Sequence, residues 1–329
     1  MEMYANDSKV WLSKQMSECK KCKEIENEKP VQTNKKNHIL GDEWDRISLR
    51  EMLAGKHKKL YQGQSKYQNI QLLKASDIRM YLDEQLQFSS LDERIYHEAF
   101  VHVPMALTKS QERILILGGG DGLALREVLK YSDVKKVDLV DIDSEVLKLA
   151  RNVPELVSLN EKALFDKRVK VCAKDAIEFL KTNKNTYDLI IIDFPDPGDA
   201  ELAKLYTLEM FQMLRNYLAN DGIIVCQANS PEDTPTVYWS IGLTMEQSGF
   251  YTAGYHTIVP SFGDWGFHLA SKEPFNPEFK KVPVPYQTLP KNLATLFHFK
   301  SDYVFYQRYA IVNKLDHLLL HEIYKKEIL

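Results

Sequence analysis

The sequence predicts an α/β fold: a doubly wound, mostly parallel sheet preceded by a small antiparallel sheet. Three observations carry this. Short apolar runs alternate with helical stretches from residue 114 to 247, the pattern of a parallel sheet with helices on its faces. The run Ile114-Leu-Ile-Leu117 leads straight into Gly118-Gly-Gly-Asp-Gly122 and then into the helix formers of 123–130, which is the strand–turn–helix start of a nucleotide-binding unit. Upstream, 66–73 and 77–82 alternate apolar and polar side chains, the period of half-buried strands.

The elements follow in order. Residues 1–57 are dense in Lys, Glu, Asn and Ser and read as a polar N-terminal extension. Within it, Trp44 and 47–53 have the spacing of a short amphipathic helix. Residues 58–105 read as a small β domain of two to four strands, turned at Asp83-Glu84, with a linking helix that Asp92 caps. Residues 106–275 hold the large sheet. Its strands after the glycine turn are 137–142, 169–175, 187–193 and 222–227, with 251–259 and 265–270 as a closing antiparallel pair. Asp143 caps one crossover helix, and Thr234-Pro235 opens another with proline at its first position. Residues 276–329 are aromatic-rich and read as a C-terminal helical extension.

Parallel sheets bind ligands at the carboxyl ends of their strands. Here four successive strand ends carry Asp121, Asp141, Asp175 and Asp193. One aspartate at such a place is an ordinary cap or turn former. Four converging on one crevice repel each other unless a cation or hydrogen-bond donors sit among them. The glycine turn carries Asp121 where a dinucleotide's pyrophosphate would sit, and its spacing departs from G-x-G-x-x-G. Together these favour a nucleoside with positive charge at its far end, such as a sulfonium nucleoside. Asp141 stands about 20 residues beyond the glycines, where a carboxylate accepts both ribose hydroxyls. Asp193-Phe-Pro-Asp196-Pro197 places two carboxylates on one proline-stiffened loop.

With Tyr67-Gln68, Tyr96-His97-Glu98, Gly118–Gly122 followed by Arg126-Glu127, Asp141-Ile142-Asp143, Asp175-Ala176, Asp193-x-x-Asp196-Pro197 and Gln227 in this order, the chain resembles the spermidine synthase family of polyamine aminopropyltransferases. The loop Asp-Phe-Pro-Asp-Pro, the stretch 201–206 and Pro260-Ser-Phe-Gly-Asp-Trp-Gly-Phe267 resemble a bacterial branch in which some members carry a membrane domain. No such domain is evident here. The resemblance implies a Rossmann-like class I methyltransferase-type sheet with a small N-terminal antiparallel β domain. It also implies a homodimer or homotetramer, often formed through that small domain.

The resemblance further implies the chemistry. Decarboxylated S-adenosylmethionine is the donor and a co-substrate, with no cofactor and no metal. Asp141 and its neighbour Ile142 belong to the donor site, where Asp141 holds the ribose. Asp175, with Ala176, holds the adenine amino group. Gly118 and Gly120 form the donor's turn, and Gln68 and Asp121 line its thioether and aminopropyl end. Asp193 lies between donor and acceptor as the base. Tyr96, His97, Asp196 and Gln227 line the polyamine channel. Phe262 stands near the place of a polyamine-contacting tyrosine of the family, and Trp265 lies close by. The run Gln227-Ala-Asn229 lacks the glutamate that family members often carry there. Both departures remove polar contacts from the acceptor side. Putrescine is the default acceptor, with spermidine, cadaverine and agmatine as alternatives.

Two other functions fit parts of the pattern. A class I methyltransferase would share the turn and the ribose acid, but a donor that keeps its carboxylate is repelled by Asp121. A polyamine- or nucleoside-binding protein would need the acids without the reaction. Composition narrows the partners. The 43 basic and 46 acidic residues give a net charge of −3, so no basic field for nucleic acid exists. No apolar run approaches the roughly 20 residues of a membrane span, and a signal-peptide core is lacking. A cytoplasmic protein with no membrane partner is expected. Four cysteines suit a reducing compartment. Cys19-Lys-Lys-Cys22 has no second ligand pair nearby to complete a zinc site, and reads as two thiols of a polar tail. Cys172 and Cys226 lie in apolar runs, as small core residues do.

Overall fold

The computed structural model describes residues 43–274 and 281–328; Cys19 and Cys22 lie outside them. Chain order begins with helix α1 (Glu43–Ala54) and strands β1 (Lys58–Gln64), β2 (Asn69–Lys74), β3 (Ile78–Leu82) and β4 (Gln85–Ser89). The four strands form an antiparallel sheet in the order β1-β2-β3-β4. Asp83 and Glu84 both take positive φ, 46° and 67°, the twist a two-residue hairpin needs. Leu49 and Met52 of α1 pack with Leu73, Tyr81 and Leu86 of the small sheet. Trp44, by contrast, is 77% exposed. The helix therefore docks through its Leu49 face and not through the tryptophan.

Helix α2 (Glu93–Met105) connects the two sheets. Asp92 precedes it without capping it. Its carboxylate instead accepts from the Ser261 backbone N–H at 2.7 Å and the Ser261 hydroxyl at 2.9 Å, so it ties the helix start to the late loop near Phe262.

The large sheet then builds from β5 (Arg113–Gly118), α3 (Leu123–Leu129), β6 (Lys136–Asp141), α4 (Ser144–Asn152), α5 (Pro154–Leu159), β7 (Val169–Ala173) and α6 (Ala176–Thr182). It continues through β8 (Tyr187–Asp193), α7 (Ala200–Ala203), α8 (Leu208–Arg215), β9 (Leu218–Gln227), α9 (Pro235–Gln247), β10 (Tyr251–Val259) and β11 (Gly263–Ser271). The strand order is β10-β11-β9-β8-β5-β6-β7. Strands β9, β8, β5, β6 and β7 run parallel, and β11 and β10 close the sheet antiparallel. Order reverses between β5 and β8, so a crevice opens there at the carboxyl ends. The central runs Ile114–Leu117 and Leu189–Ile192 are 0% exposed. Each such side chain contributes roughly 1.5–3 kcal/mol, so the strand ends that carry the acids sit on a stiff base.

After β11 the chain covers the outside of the sheet with α10 (Ser301–Phe305) and α11 (Leu320–Ile328). Leu320 and Tyr324 of α11 join the same apolar cluster as Ile190 and Ile192 of β8. No helix among the described residues is long and apolar enough to cross a membrane.

Candidate active site

The site begins where β5 ends. Gly118 takes φ +84°, and in the ladder it lies opposite Asp193. A Cβ at Gly118 would collide with the Asp193 carbonyl oxygen. At Gly120 a Cβ would stand 2.6 Å from Asp141 Oδ2. Without one, the Gly120 N–H donates to that oxygen at 2.9 Å. Gly118 thus lets the β5 backbone lie close against that of Asp193, and Gly120 lets bare backbone meet the Asp141 carboxylate.

Asp141 accepts from Gly120 through Oδ2 and from the Asp143 N–H through Oδ1 at 2.7 Å. Burial pushes its pKa up to about 6 against these two bonds, with the charges of Asp143 and Asp121 adding to the rise. Ile142, next in sequence, turns an apolar side chain outward, 42% exposed. Asp143 caps α4 by accepting from Glu145 N–H at 3.0 Å. Its second oxygen accepts from Ser65 Oγ at 2.6 Å and Gln68 Nε2 at 2.9 Å. So Gln68, from the turn between β1 and β2, reaches the strand ends of the large sheet through Asp143. Asp175 caps α6, accepting from Glu178 N–H at 2.9 Å, and Ala176 behind it is buried.

Asp121 Oδ1 accepts from Leu123 N–H at 2.8 Å at the start of α3. Burial raises its pKa, opposed by the charge of His97. Asp193 Oδ1 accepts from the Tyr96 hydroxyl at 2.7 Å. Burial pushes Asp193 up to about 6, the charge of Asp121 adds to this, and His97 and the Tyr96 bond oppose it. Two carboxylates held this far above the usual range are carboxylates short of positive charge.

His97, on α2, is buried. Its Nδ1 lies 2.7 Å from the Glu93 carbonyl oxygen and 2.9 Å from Glu93 Oε2. Burial opposes its protonation, yet the bond and charge of Glu93, with Asp121 and Asp193, raise its pKa. Glu93 is itself held by Arg126 through two bonds of 2.8 and 2.9 Å. Despite burial, His97 and Arg126 hold Glu93 down at about 2.

The loop after β8 is braced from several sides. Gln227, 4% exposed, donates from Nε2 to the Phe194 carbonyl at 2.6 Å, to the Tyr206 hydroxyl at 2.9 Å and to Asp196 Oδ1 at 3.3 Å. Asp196 Oδ2 accepts from Gln85 Nε2 at 2.8 Å and Tyr324 Oη at 3.2 Å. An aromatic wall stands beside Asp193: Tyr96 contacts Phe262 at 6.2 Å and Trp265 at 6.5 Å between ring centres, and those two contact each other at 5.2 Å. The Trp265 Nε1–H is buried without a hydrogen-bond partner among the described residues.

Tyr96, Asp193, Asp121, His97, Phe262 and Trp265 thus form one cluster, and Asp141 with Gly120 a second one beside it. Asp175 stands apart at the head of α6. Glu93, Gln85 and Tyr324 are members that the sequence did not single out, and Asp143, read there as a helix cap, is also the anchor of Gln68. Glu93 had a signal, since Glu93 and His97 are four residues apart on one helix. Tyr324 had none, since it meets Asp196 across 128 residues of chain.

Residues 93–281 match the family described as the Spermine/spermidine synthase domain. The chain is 52% identical over 321 residues to Polyamine aminopropyltransferase 2 of Bacillus anthracis, covering 96% of this chain and 89% of that protein. It is 53% identical over 297 residues to Polyamine aminopropyltransferase 2 of Bacillus cereus, covering 89% of this chain and 81% of that protein. Among solved structures, the crystal structure of spermidine synthase from Thermotoga maritima matches with a TM-score of 0.67 at 26% identity, over 75% of this chain and 86% of that one. A central site lined by carboxylates, on a methyltransferase-type sheet with an antiparallel N-terminal sheet, is found here in a chain that belongs to the polyamine aminopropyltransferase family.

Proposed function

We propose that this chain moves the aminopropyl group of decarboxylated S-adenosylmethionine to a diamine, putrescine being the default acceptor, and releases methylthioadenosine. The observation that carries the reading is the pair of carboxylates, Asp141 and Asp193, raised to about 6 by burial at the ends of the two strands that flank β5 and its glycine turn. Cationic ligands relieve that arrangement.

In this reading Asp141 receives the ribose hydroxyls, and the exposed Ile142 offers an apolar face to the base. Asp175, with Ala176 behind it, takes the adenine amino group. Gln68 Nε2 is committed to Asp143, so its carbonyl oxygen is the atom available to the donor's cationic tail, alongside Asp121. Asp193 stands between donor and acceptor. The amine nitrogen attacks the carbon next to sulfur in line; the C–N bond forms, the C–S bond breaks, and its electron pair neutralises the sulfonium. No acid is needed for the leaving group. The nucleophile does need help, because an alkylamine is mostly protonated at neutral pH. Asp193 holds the nitrogen and accepts its proton, which is then lost to water. Such base catalysis contributes about 10²- to 10⁴-fold, and positioning by the aromatic wall adds to it.

The test is to incubate the protein with decarboxylated S-adenosylmethionine and a panel of amines (putrescine, cadaverine, agmatine and spermidine) and to follow methylthioadenosine. Release with an amine supports the reading, and the most efficient amine names the acceptor. Methyl transfer from intact S-adenosylmethionine, with no release from the decarboxylated donor, would overturn it.

A further inference from the structure

We propose that His256 is a positioning residue for acceptor binding: as an imidazolium it clasps the hairpin that carries Phe262 and Trp265 to the C-terminal segment at His298. The inference rests on the aminopropyl-transfer reading above.

The hairpin of β10 and β11 presents two faces. Side chains alternate along a strand, and in this register Tyr255 lies opposite Phe267 and His256 opposite Gly266. Tyr255, Trp265 and Phe267 therefore share one face. Trp265 and Phe267 both meet the Tyr96 ring there, at 6.5 and 5.3 Å between ring centres, so this is the face of the aromatic wall beside Asp193. His256 and Asp264 share the other face. Asp264 is 5% exposed and lies between Phe262 and Trp265 in the chain.

His256 joins β10, β11 and the C-terminal segment. Its Nδ1 lies 2.6 Å from Asp264 Oδ1, and its Nε2 lies 3.0 Å from the His298 carbonyl oxygen. The Phe299 ring stacks on the imidazole at 4.5 Å between centres. A carboxylate oxygen and a carbonyl oxygen are both acceptors. Neutral imidazole carries one N–H, and only the imidazolium carries two. With Asp264 ionised, the two contacts are satisfied together only while His256 holds its second proton. Loss of that proton sets a nitrogen lone pair against an oxygen lone pair at one of them. The segment that ends at His298 and the strand that carries Trp265 then lose their common anchor. The other tie of the hairpin, from Ser261 to Asp92, holds its tip and does not involve Asp264.

The charges around the ring agree. Burial opposes the second proton, and so does Lys300. The bond and charge of Asp264, with the His298 carbonyl, outweigh them and raise the pKa above its ordinary 6.5. Lys300 donates to the Tyr303 hydroxyl of α10 at 3.1 Å, and the charge of Glu232 acts on both. Tyr303 meets the His256 ring edge-on at 6.3 Å. Its carbonyl accepts from Trp239 Nε1 of α9 at 2.7 Å. The C-terminal side of the clasp is thus itself anchored.

The experiment compares wild type with His256→Gln and with Asp264→Asn, which keeps the size of the side chain and removes its charge. Protein labelled with nitrogen-15 at histidine is titrated by NMR, and the His256 ring is assigned by its loss in His256→Gln. Wild type is expected to hold both ring protons at pH 6.5, with a midpoint above that value, and Asp264→Asn to lower the midpoint by at least about one unit. Diamine binding is measured by calorimetry in the presence of methylthioadenosine, and kinetics with decarboxylated S-adenosylmethionine and putrescine. Below the midpoint both variants are expected to weaken diamine binding and raise its KM about three- to tenfold, with kcat and the donor KM nearly kept. Above the midpoint, where wild type has lost the same proton, the ratio of variant to wild type shrinks. A midpoint at or below 6.5, an unchanged diamine affinity in both variants, or an equal weakening of donor and diamine overturns the inference. If wild type releases no methylthioadenosine but both variants still weaken diamine binding below the midpoint, the clasp stands and the transfer reading fails. If wild type binds no diamine, both fail.

Discussion

Tyr96 Oη donates to Asp193 Oδ1 across 2.7 Å, from the first turn of α2 to the end of β8. The bond fixes one oxygen of the carboxylate. The other, Oδ2, faces Gly119, where a Cβ would stand 3.0 Å away. One oxygen is thus an anchor and the other faces the glycine turn.

The anchor also tunes acidity. The Tyr96 bond lowers the pKa of Asp193 against the burial that raises it to about 6. Tyr96→Phe is therefore expected to move the acidic limb of the kcat/KM profile upward by up to about one pH unit and to cut kcat/KM at pH 6 by about 3- to 10-fold. A profile recorded from pH 5 to 9 checks this, and an unmoved acidic limb would count against Asp193 as the titrating base.

Asp193 also has a stability signature. Its folded pKa, about 6, is above its ordinary value of 3.8. Between those values the folded state holds the proton more tightly than the unfolded chain, so the contribution of this group to stability falls as pH rises from about 4 through 6. Above that window the ionised, half-buried carboxylate costs roughly 2–3 kcal/mol. Asp193→Asn is expected to raise Tm at pH 7.5, with the gain shrinking toward pH 4. Thermal melts at the two pH values test it.

Glu93 has the opposite sign. His97 and Arg126 overcome burial and hold it near 2, below its ordinary 4.5. Its contribution is present above pH 4.5 and is lost as pH falls toward 2. Arg126→Gln leaves Glu93 buried with a weaker partner and is expected to cost about 3–5 kcal/mol in urea unfolding at pH 7.

Gly120→Ala tests the donor side. The added methyl would meet Asp141 Oδ2 and displace the carboxylate assigned to the ribose. The expected result is a donor KM raised more than tenfold, with the acceptor KM little changed. Separate titration of the two substrates distinguishes these.

Much of this fold could be read from local pattern. The apolar strands, the glycine turn and the aspartates at strand ends all declare themselves within a few residues, because burial and turn chemistry act locally. Asp83 and Glu84 marked their hairpin for the same reason. Contacts that close over long separations left no such trace. Asp92 looked like a helix cap, yet its carboxylate is taken by Ser261, 169 residues away. Gln68 read as a residue of the donor's tail, with no sign that its amide nitrogen is tethered to Asp143, 75 residues on. Trp44 read as part of an amphipathic helix and is exposed, because the pattern of a helix face does not say which part of it finds a partner. The C-terminal stretch read as a helical extension, with no hint that Tyr324 would meet Asp196.

The account depends on Asp193 as the base among carboxylates that await cations. The most direct measurement pairs turnover with donor binding in Asp193→Asn. We predict a fall in methylthioadenosine release of at least about 10²-fold, while calorimetry shows decarboxylated S-adenosylmethionine still bound within a few-fold of wild type. Turnover within about threefold of wild type, with the donor bound equally well, would contradict it.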